Sequence, residues 1–147
     1  MTTTTDKHTI TALVEYQPGV LNRISCLFRR RGYNISSLAV GQSETDGLSR
    51  MTFVVEGDPE TVEMVAKNLH KLVEVIKVVN ISSGNTVSRE LALVRVNADV
   101  TTRSEIMQIV DIFRAKIVDV SQGTLILEVT GEENKVDSLV NLLRTFG

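Results

Sequence analysis

Residues able to do chemistry gather at two short turns. The first is Tyr16-Gln17-Pro18-Gly19-Val20-Leu21. A glycine where a helix begins lets a ligand approach the backbone closely. The free N–H groups of a first helical turn, with the helix dipole behind them, favour an anion such as a carboxylate. The second turn is Arg31-Gly32-Tyr33-Asn34-Ile35. Asn34 brings both a donor and an acceptor. A small amino acid asks for backbone donors to its carboxylate, a polar side chain for its ammonium and an apolar wall. In a plainer view of the same residues, Gly19 and Gly32 make only a turn and a helix cap.

Elsewhere no catalytic set stands out. His8 and His70 read as surface polar residues, because an active base needs an orienting partner nearby. Cys26 reads as a small core thiol beside an apolar stripe, since a reactive thiolate needs an electropositive, partly exposed niche. Arg29, Arg30 and Arg31 read as a solvated helix end. Glu132 and Glu133 read as first-turn helix residues, not an acid–base pair. Neither a P-loop nor a GxGxxG fingerprint is present. One cysteine and two histidines form a poor metal set, so no metal is expected.

The elements that must position the two turns follow from periodicity. Residues 8–16 alternate as a strand, with Ile10, Ala12 and Val14 on one face and Leu13 breaking the pattern. Pro18 is placed at a helix start. The helix runs to about Arg31 with Val20, Leu21, Ile24, Leu27 and Phe28 as its apolar stripe. Cations in its last turn and Gly32 after it suit the helix end. Strands near 35–42 and over 48–56 flank an Asp46-Gly47 hairpin signal. Asp58-Pro59 opens a second helix to about Leu72, with Val62, Val65, Ala66 and Leu69 as its stripe. A strand from Val73 to about residue 82 completes a β-α-β-β-α-β order, the split ferredoxin-like unit.

After a polar stretch the pattern begins again. ELALVRVNA is a strand, and Thr102 with Glu105 suggests a capping box. The following helix carries Ile106, Ile109, Val110 and Phe113. Two short strands surround Gln122-Gly123, and a helix near 133–145 carries Val136, Leu139, Val140 and Leu143. The second half is thus β-α-β-β-α, with the last strand apparently missing. The expectation is an α+β chain: a ferredoxin-like βαββαβ domain at 8–82, a linker at 83–89, and a second ferredoxin-like α+β domain at 90–147.

Composition narrows the function classes. The 147 residues carry 16 Lys+Arg against 18 Asp+Glu, a net charge of −2, which argues against an electrostatic nucleic-acid binder. Aromatics are 4% with no Trp, so the core must be aliphatic, and no set of strand aromatics is available for base stacking. No apolar run approaches a membrane span, and residues 1–8 do not resemble a signal peptide. A cytoplasmic protein is expected, or one of the plastid stroma if the source bears plastids.

The segment EYQPGVLNRISCLFRRRGYNISSLAVGQSETDGLSRMTFVVEGD resembles the small regulatory subunit of acetolactate synthase, also called acetohydroxyacid synthase. The PGVL turn, the LFRRRGYNI turn, SLAV and the LSRMT strand all fit that family's pattern. LHKLVEVIKV, RELALVRV and IFRAKIVDVS fit it further on, so the likeness spans about residues 8–146. It implies an N-terminal ACT domain that forms a homodimer by joining sheets side by side. It implies that valine, or another branched-chain amino acid, binds at that interface. Gly19, Val20 and Leu21 would offer backbone donors to the carboxylate. Asn34 and Ile35 of the other chain would hold the ammonium and line the apolar wall. Tyr16 departs from the family's usual Asp or Asn, and a phenol does not copy a carboxylate's pairing at neutral pH. The likeness also implies a non-catalytic chain that binds the large catalytic subunit, raises its activity and confers feedback inhibition. Thiamine diphosphate, FAD and magnesium would belong to that subunit. The alternatives are an ACT-type amino-acid sensor with another partner, an RNA-binding ferredoxin-like module, and a small enzyme on the same topology.

Overall fold

Alternation along Ile10, Ala12 and Val14 does build the central strand of the first unit. A computed structural model of the chain describes residues 6–82 and 84–147. The chain divides into two compact units on either side of the Thr86–Val87 bond.

The first unit runs β1 (Lys7–Glu15), α1 (Val20–Arg31), β2 (Asn34–Gln42), β3 (Leu48–Glu56), α2 (Pro59–His70) and β4 (Val75–Asn80). Its sheet order is β2-β3-β1-β4, all neighbours antiparallel. Ile10, Ala12 and Val14 of β1 and Met51, Phe53 and Val55 of β3 are buried beneath the two helices. The helices supply Val20, Ile24, Leu27 and Phe28, then Val62, Val65 and Leu69. Phe28 stacks on Phe53 with ring centroids 5.3 Å apart. The Asp58 carboxylate accepts from the Thr61 N–H at 2.7 Å, with Pro59 as the first helical residue, as the sequence suggests.

The second unit runs β5 (Glu90–Asn97), α3 (Arg103–Ile112), β6 (Lys116–Val120), β7 (Thr124–Gly131), α4 (Glu133–Leu143) and a 3-10 turn, Arg144–Phe146. Its three-stranded antiparallel sheet has the order β5-β7-β6. Val96, Leu125, Leu127 and Val129 are covered by Ile106, Val110, Val136, Leu139 and Leu143. In the first unit's order a fourth strand lies beside the first. Here the corresponding side of β5 carries only one bond among the described residues, from the Asn97 N–H to the Gly147 carbonyl at 3.2 Å. The family likeness in architecture is therefore two ferredoxin-like α+β units, one with four strands and one with three.

Several expectations need correction. Pro18 does not start α1. It occupies the turn before it, where the Val20 N–H reaches the Gln17 carbonyl at 3.4 Å and Gly19 has φ 87° and ψ −8°. That is a type II turn with Pro and Gly in their preferred places. Leu21 is not core: it is 47% exposed, one residue beyond the buried stripe. Cys26 is exposed too, because two residues past Ile24 is the far side of a helix. Conversely, His8 is half-buried, since it shares the helix-covered face with Ile10. α2 stops at His70 and β4 begins only at Val75.

The capping box also moves upstream. Thr102 makes no side-chain cap to Glu105. Instead Asp99 accepts from the N–H groups of Thr101 and Thr102 at 2.8 and 2.9 Å. The Thr102 hydroxyl accepts from the Asp99 N–H at 3.2 Å, closing a reciprocal box one turn earlier.

The two first helices of the units end in the same Schellman motif with different residues. After α1, Tyr33 N–H donates to the Phe28 carbonyl and Gly32 N–H to that of Arg29, with Gly32 at φ 70°. After α3, Ala115 N–H donates to the Val110 carbonyl and Arg114 N–H to that of Asp111, with Arg114 at φ 56°. A side chain there meets the left-handed penalty that glycine avoids.

Three outcomes follow from this packing. Phe53→Ala is expected to cost about 3–5 kcal/mol, read by denaturant melts of the first unit. Arg114→Gly is expected to stabilise the second unit by about 1 kcal/mol. Asp99 is held below its ordinary 3.8, first by the Thr101 hydroxyl and then by the Thr102 N–H. A depressed carboxyl stabilises the fold above its unfolded pKa and loses that effect as pH falls through the folded value. Asp99→Asn should therefore lower the melting temperature at neutral pH, with the gap to wild type closing below pH 3.8.

Candidate functional site

Gly19 sits at the N-terminal end of α1 with positive φ, and a Cβ there would meet nothing within 4 Å. The turn is open to an approaching ligand. The Gly19 carbonyl begins the helix by accepting from the Arg23 N–H at 3.0 Å. The N–H groups of Gly19, Leu21 and Asn22 find no hydrogen-bond partner among the described residues. Three unpartnered donors thus lie at the positive end of α1, an arrangement suited to a carboxylate. Val20, expected as a third backbone donor beside Gly19 and Leu21, is not free for that role. Its side chain is buried in the core and its N–H donates to the Gln17 carbonyl at 3.4 Å, so Asn22 takes its place.

The preceding residues are pinned from both sides. Glu15 N–H donates to the Glu74 carbonyl at 2.9 Å, and Tyr16 N–H to the Gly47 carbonyl at 2.8 Å. The Glu74 carboxylate pairs with the Arg23 guanidinium on α1. Tyr16 itself is 70% exposed. It borders a hollow of about 80 Å³ with Gln42, Ser43, Asp46 and Leu48 of the β2–β3 hairpin.

At the other end of α1, Gly32 reverses the chain into β2. Tyr33 packs edge-on against Phe28, centroids 5.9 Å apart, and its hydroxyl accepts from Asn68 Nδ2 at 2.9 Å. Asn68 is buried, so this bond satisfies an amide that water cannot reach. Asn34 follows, exposed and opposite Glu56. Ile35 faces the helix side opposite Val55, half-buried against the core.

The structure therefore brings Gly19, Val20 and Leu21 together, and separately Asn34 and Ile35. Within one chain it does not bring the two groups together. The 12 residues of α1 separate them by about 18 Å, far more than a small amino acid spans. Sequence reasoning missed Arg23, Glu74 and Asn68, which hold the two turns. Glu74 reads as part of a strand from Val73, whereas it lies in the loop before β4, and no local signal marks it as buried.

A larger hollow of about 320 Å³ lies on the open face of the sheet, bordered by Thr11, Leu13, Glu44, Arg50, Lys77 and Val79. None of the expected site residues borders it. Glu44 is held below its ordinary value by a backbone N–H and then by Arg50, whose guanidinium lies 3.1 Å away. Among the described residues no group of His, Cys, Asp and Glu is placed to hold a metal ion, and no helix is long and apolar enough to cross a membrane.

Comparison with known proteins adds independent weight. Residues 10–77 match the model of the acetohydroxyacid synthase small subunit-like ACT domain, and residues 89–147 match that of the small subunit of acetolactate synthase. The chain is 56% identical to the probable acetolactate synthase small subunit of Archaeoglobus fulgidus, over 96% of this chain and 88% of that one. It is 50% identical to the acetolactate synthase small subunit of Mycolicibacterium smegmatis, over 100% of this chain and 86% of that one. The crystal structure of the small subunit from Thermotoga maritima is similar with a TM-score of 0.89 and 47% identity, over 94% of this chain and 86% of that one. With identities this high across nearly the whole chain, this protein belongs to the acetolactate synthase small-subunit family and carries that family's ACT domain.

Proposed function

We propose that this chain activates an acetolactate synthase catalytic subunit and makes it sensitive to valine. The observation that carries the effector half is the open turn at Gly19, with three unpartnered N–H groups at the N-terminus of α1. A free amino acid presents the matching carboxylate.

A homodimer supplies the rest of the site. β2 is a nine-residue edge strand, NISSLAVGQ, without a single charge. Leu38 and Val40 on it are 42% and 51% exposed. Chains usually protect such edges with charge or proline, because an unprotected one templates pairing with another strand. Joining two copies along β2 would give each Gly19 turn access to the Asn34 and Ile35 of its mate. Asn34 would then accept from the ammonium, and Ile35 would supply the apolar wall.

In this mechanism valine bridges two copies. It can shift the dimer between arrangements only by the difference in its affinity for them. The catalytic subunit reads the arrangement. Thiamine diphosphate, FAD and magnesium act on that subunit, and this chain performs no catalysis. The cytoplasm is its proposed setting.

The test is acetolactate formation by the cognate catalytic subunit as this chain is titrated in, with and without valine. Stimulation that valine reverses is the expected result. Stimulation that valine leaves untouched would keep the partner and discard the effector. No stimulation would overturn the regulatory role. Gly19→Asp is expected to keep stimulation but raise the valine needed for half-reversal at least about tenfold, because it adds left-handed strain and a like charge beside the carboxylate.

A further inference from the structure

Glu74 is 6% exposed, the one charged residue that is buried among the described residues. It lies in the loop between α2 and β4, away from both turns in sequence. Yet it touches the chain on either side of the Gly19 turn. Its carbonyl accepts from the Glu15 N–H at 2.9 Å, at the last residue of β1. Its carboxylate pairs with the guanidinium of Arg23, one turn into α1. Arg23 in turn donates its own N–H to the Gly19 carbonyl at 3.0 Å. The contacts close a ring: Glu15 to Glu74, Glu74 to Arg23, Arg23 to Gly19, and the chain from Gly19 back to Glu15.

We infer that Arg23 and Glu74 are positioning residues that clamp the Glu15–Gly19 turn and so set its affinity for an amino-acid carboxylate. This rests on the effector role proposed above for that turn. Donors aimed at a ligand bind well only if their backbone is held before the ligand arrives. Gly19 cannot hold it, because glycine is the least restricted residue in the chain. Pro18 restrains one φ angle only. The remaining freedom lies in how the strand end and the helix start face each other, and the ring removes that freedom. The arginine side chain is 62% exposed while the Glu74 side chain is 8% exposed. The buried acid is thus the fixed post, and Arg23 is the arm that carries the helix to it. Tyr16 adds a second tie, to the Gly47 carbonyl, which leaves the ring as the connection specific to α1.

The experiment uses the full chain and valine as the probe. Valine binding is measured by calorimetry, and amide hydrogen exchange is followed at Glu15, Tyr16 and Arg23. Arg23→Met and Glu74→Gln are each expected to weaken valine binding about tenfold and to quicken exchange at those amides about tenfold. The double variant should be no worse than either single, since both remove one interaction. Arg23→Lys should keep most of the affinity, and the amides of Phe53 and Val55 should exchange at the wild-type rate in every variant. Unchanged affinity in Arg23→Met and Glu74→Gln would overturn the inference, even if the amides quickened. Slowed or unchanged exchange at Glu15 and Arg23 would overturn it as well. If wild type itself fails to bind valine, the effector role falls instead, and the amide exchange alone decides whether the clamp exists.

Discussion

The stacking of Phe28 on Phe53 is the contact on which the first unit's site depends. Phe28 lies in the last third of α1 and anchors the helix to the middle of β3. Tyr33 also packs against Phe28, edge to ring. Such contacts hold a helix in both position and rotation, because a ring fits its neighbours in few orientations. With α1 so fixed, its N-terminal donors and Asn34, which opens β2 after it, are held at a set separation. In a chain with 4% aromatics, three of the few rings are spent on this one helix.

Around that anchor, buried polar groups serve as ties and not as decoration. Asn68 donates to Tyr33 and thereby joins α2 to the turn after α1. Glu74 joins the same region to the turn before α1. A buried polar atom left alone is costly, so each of these pairings specifies one arrangement over its neighbours. The second unit follows the same logic at its own turn. Arg103 donates to the carbonyls of Ala98, Ser121 and Gln122, tying the start of α3 to the β6–β7 connection.

The comparison of the two units separates what the ferredoxin-like order needs from what function adds. Both place two helices on one face of an antiparallel sheet. The first protects β1 on both sides, with β3 and β4, and leaves β2 as a charge-free edge. The second leaves β5 at an edge, and Leu91 and Leu93 on it are exposed. A sheet of three strands covered by two helices still encloses a continuous aliphatic core, because the strands contribute alternate residues to one face.

Local pattern determined most of the architecture. β-branched alternation at Ile10, Ala12 and Val14, the helical stripe through Ile24, Leu27 and Phe28, the Asp58-Pro59 start and the Gly32 stop each express a short-range steric or hydrogen-bonding rule, so they could be read residue by residue. The glycine turn at Gly19 and the pair Asn34-Ile35 could be picked out for the same reason, together with motifs shared with the family. What the tertiary structure alone decided involves distance. Whether Leu21 and Cys26 meet a neighbour, whether Asp99 or Thr102 caps a helix, and whether Glu74 is buried depend on elements packed against them. Periodicity names the face a residue occupies but not what lies opposite that face. The separation of the two half-sites follows already from the length of α1, but their attachment to Asn68 and Glu74 emerges only once the helices lie on the sheet.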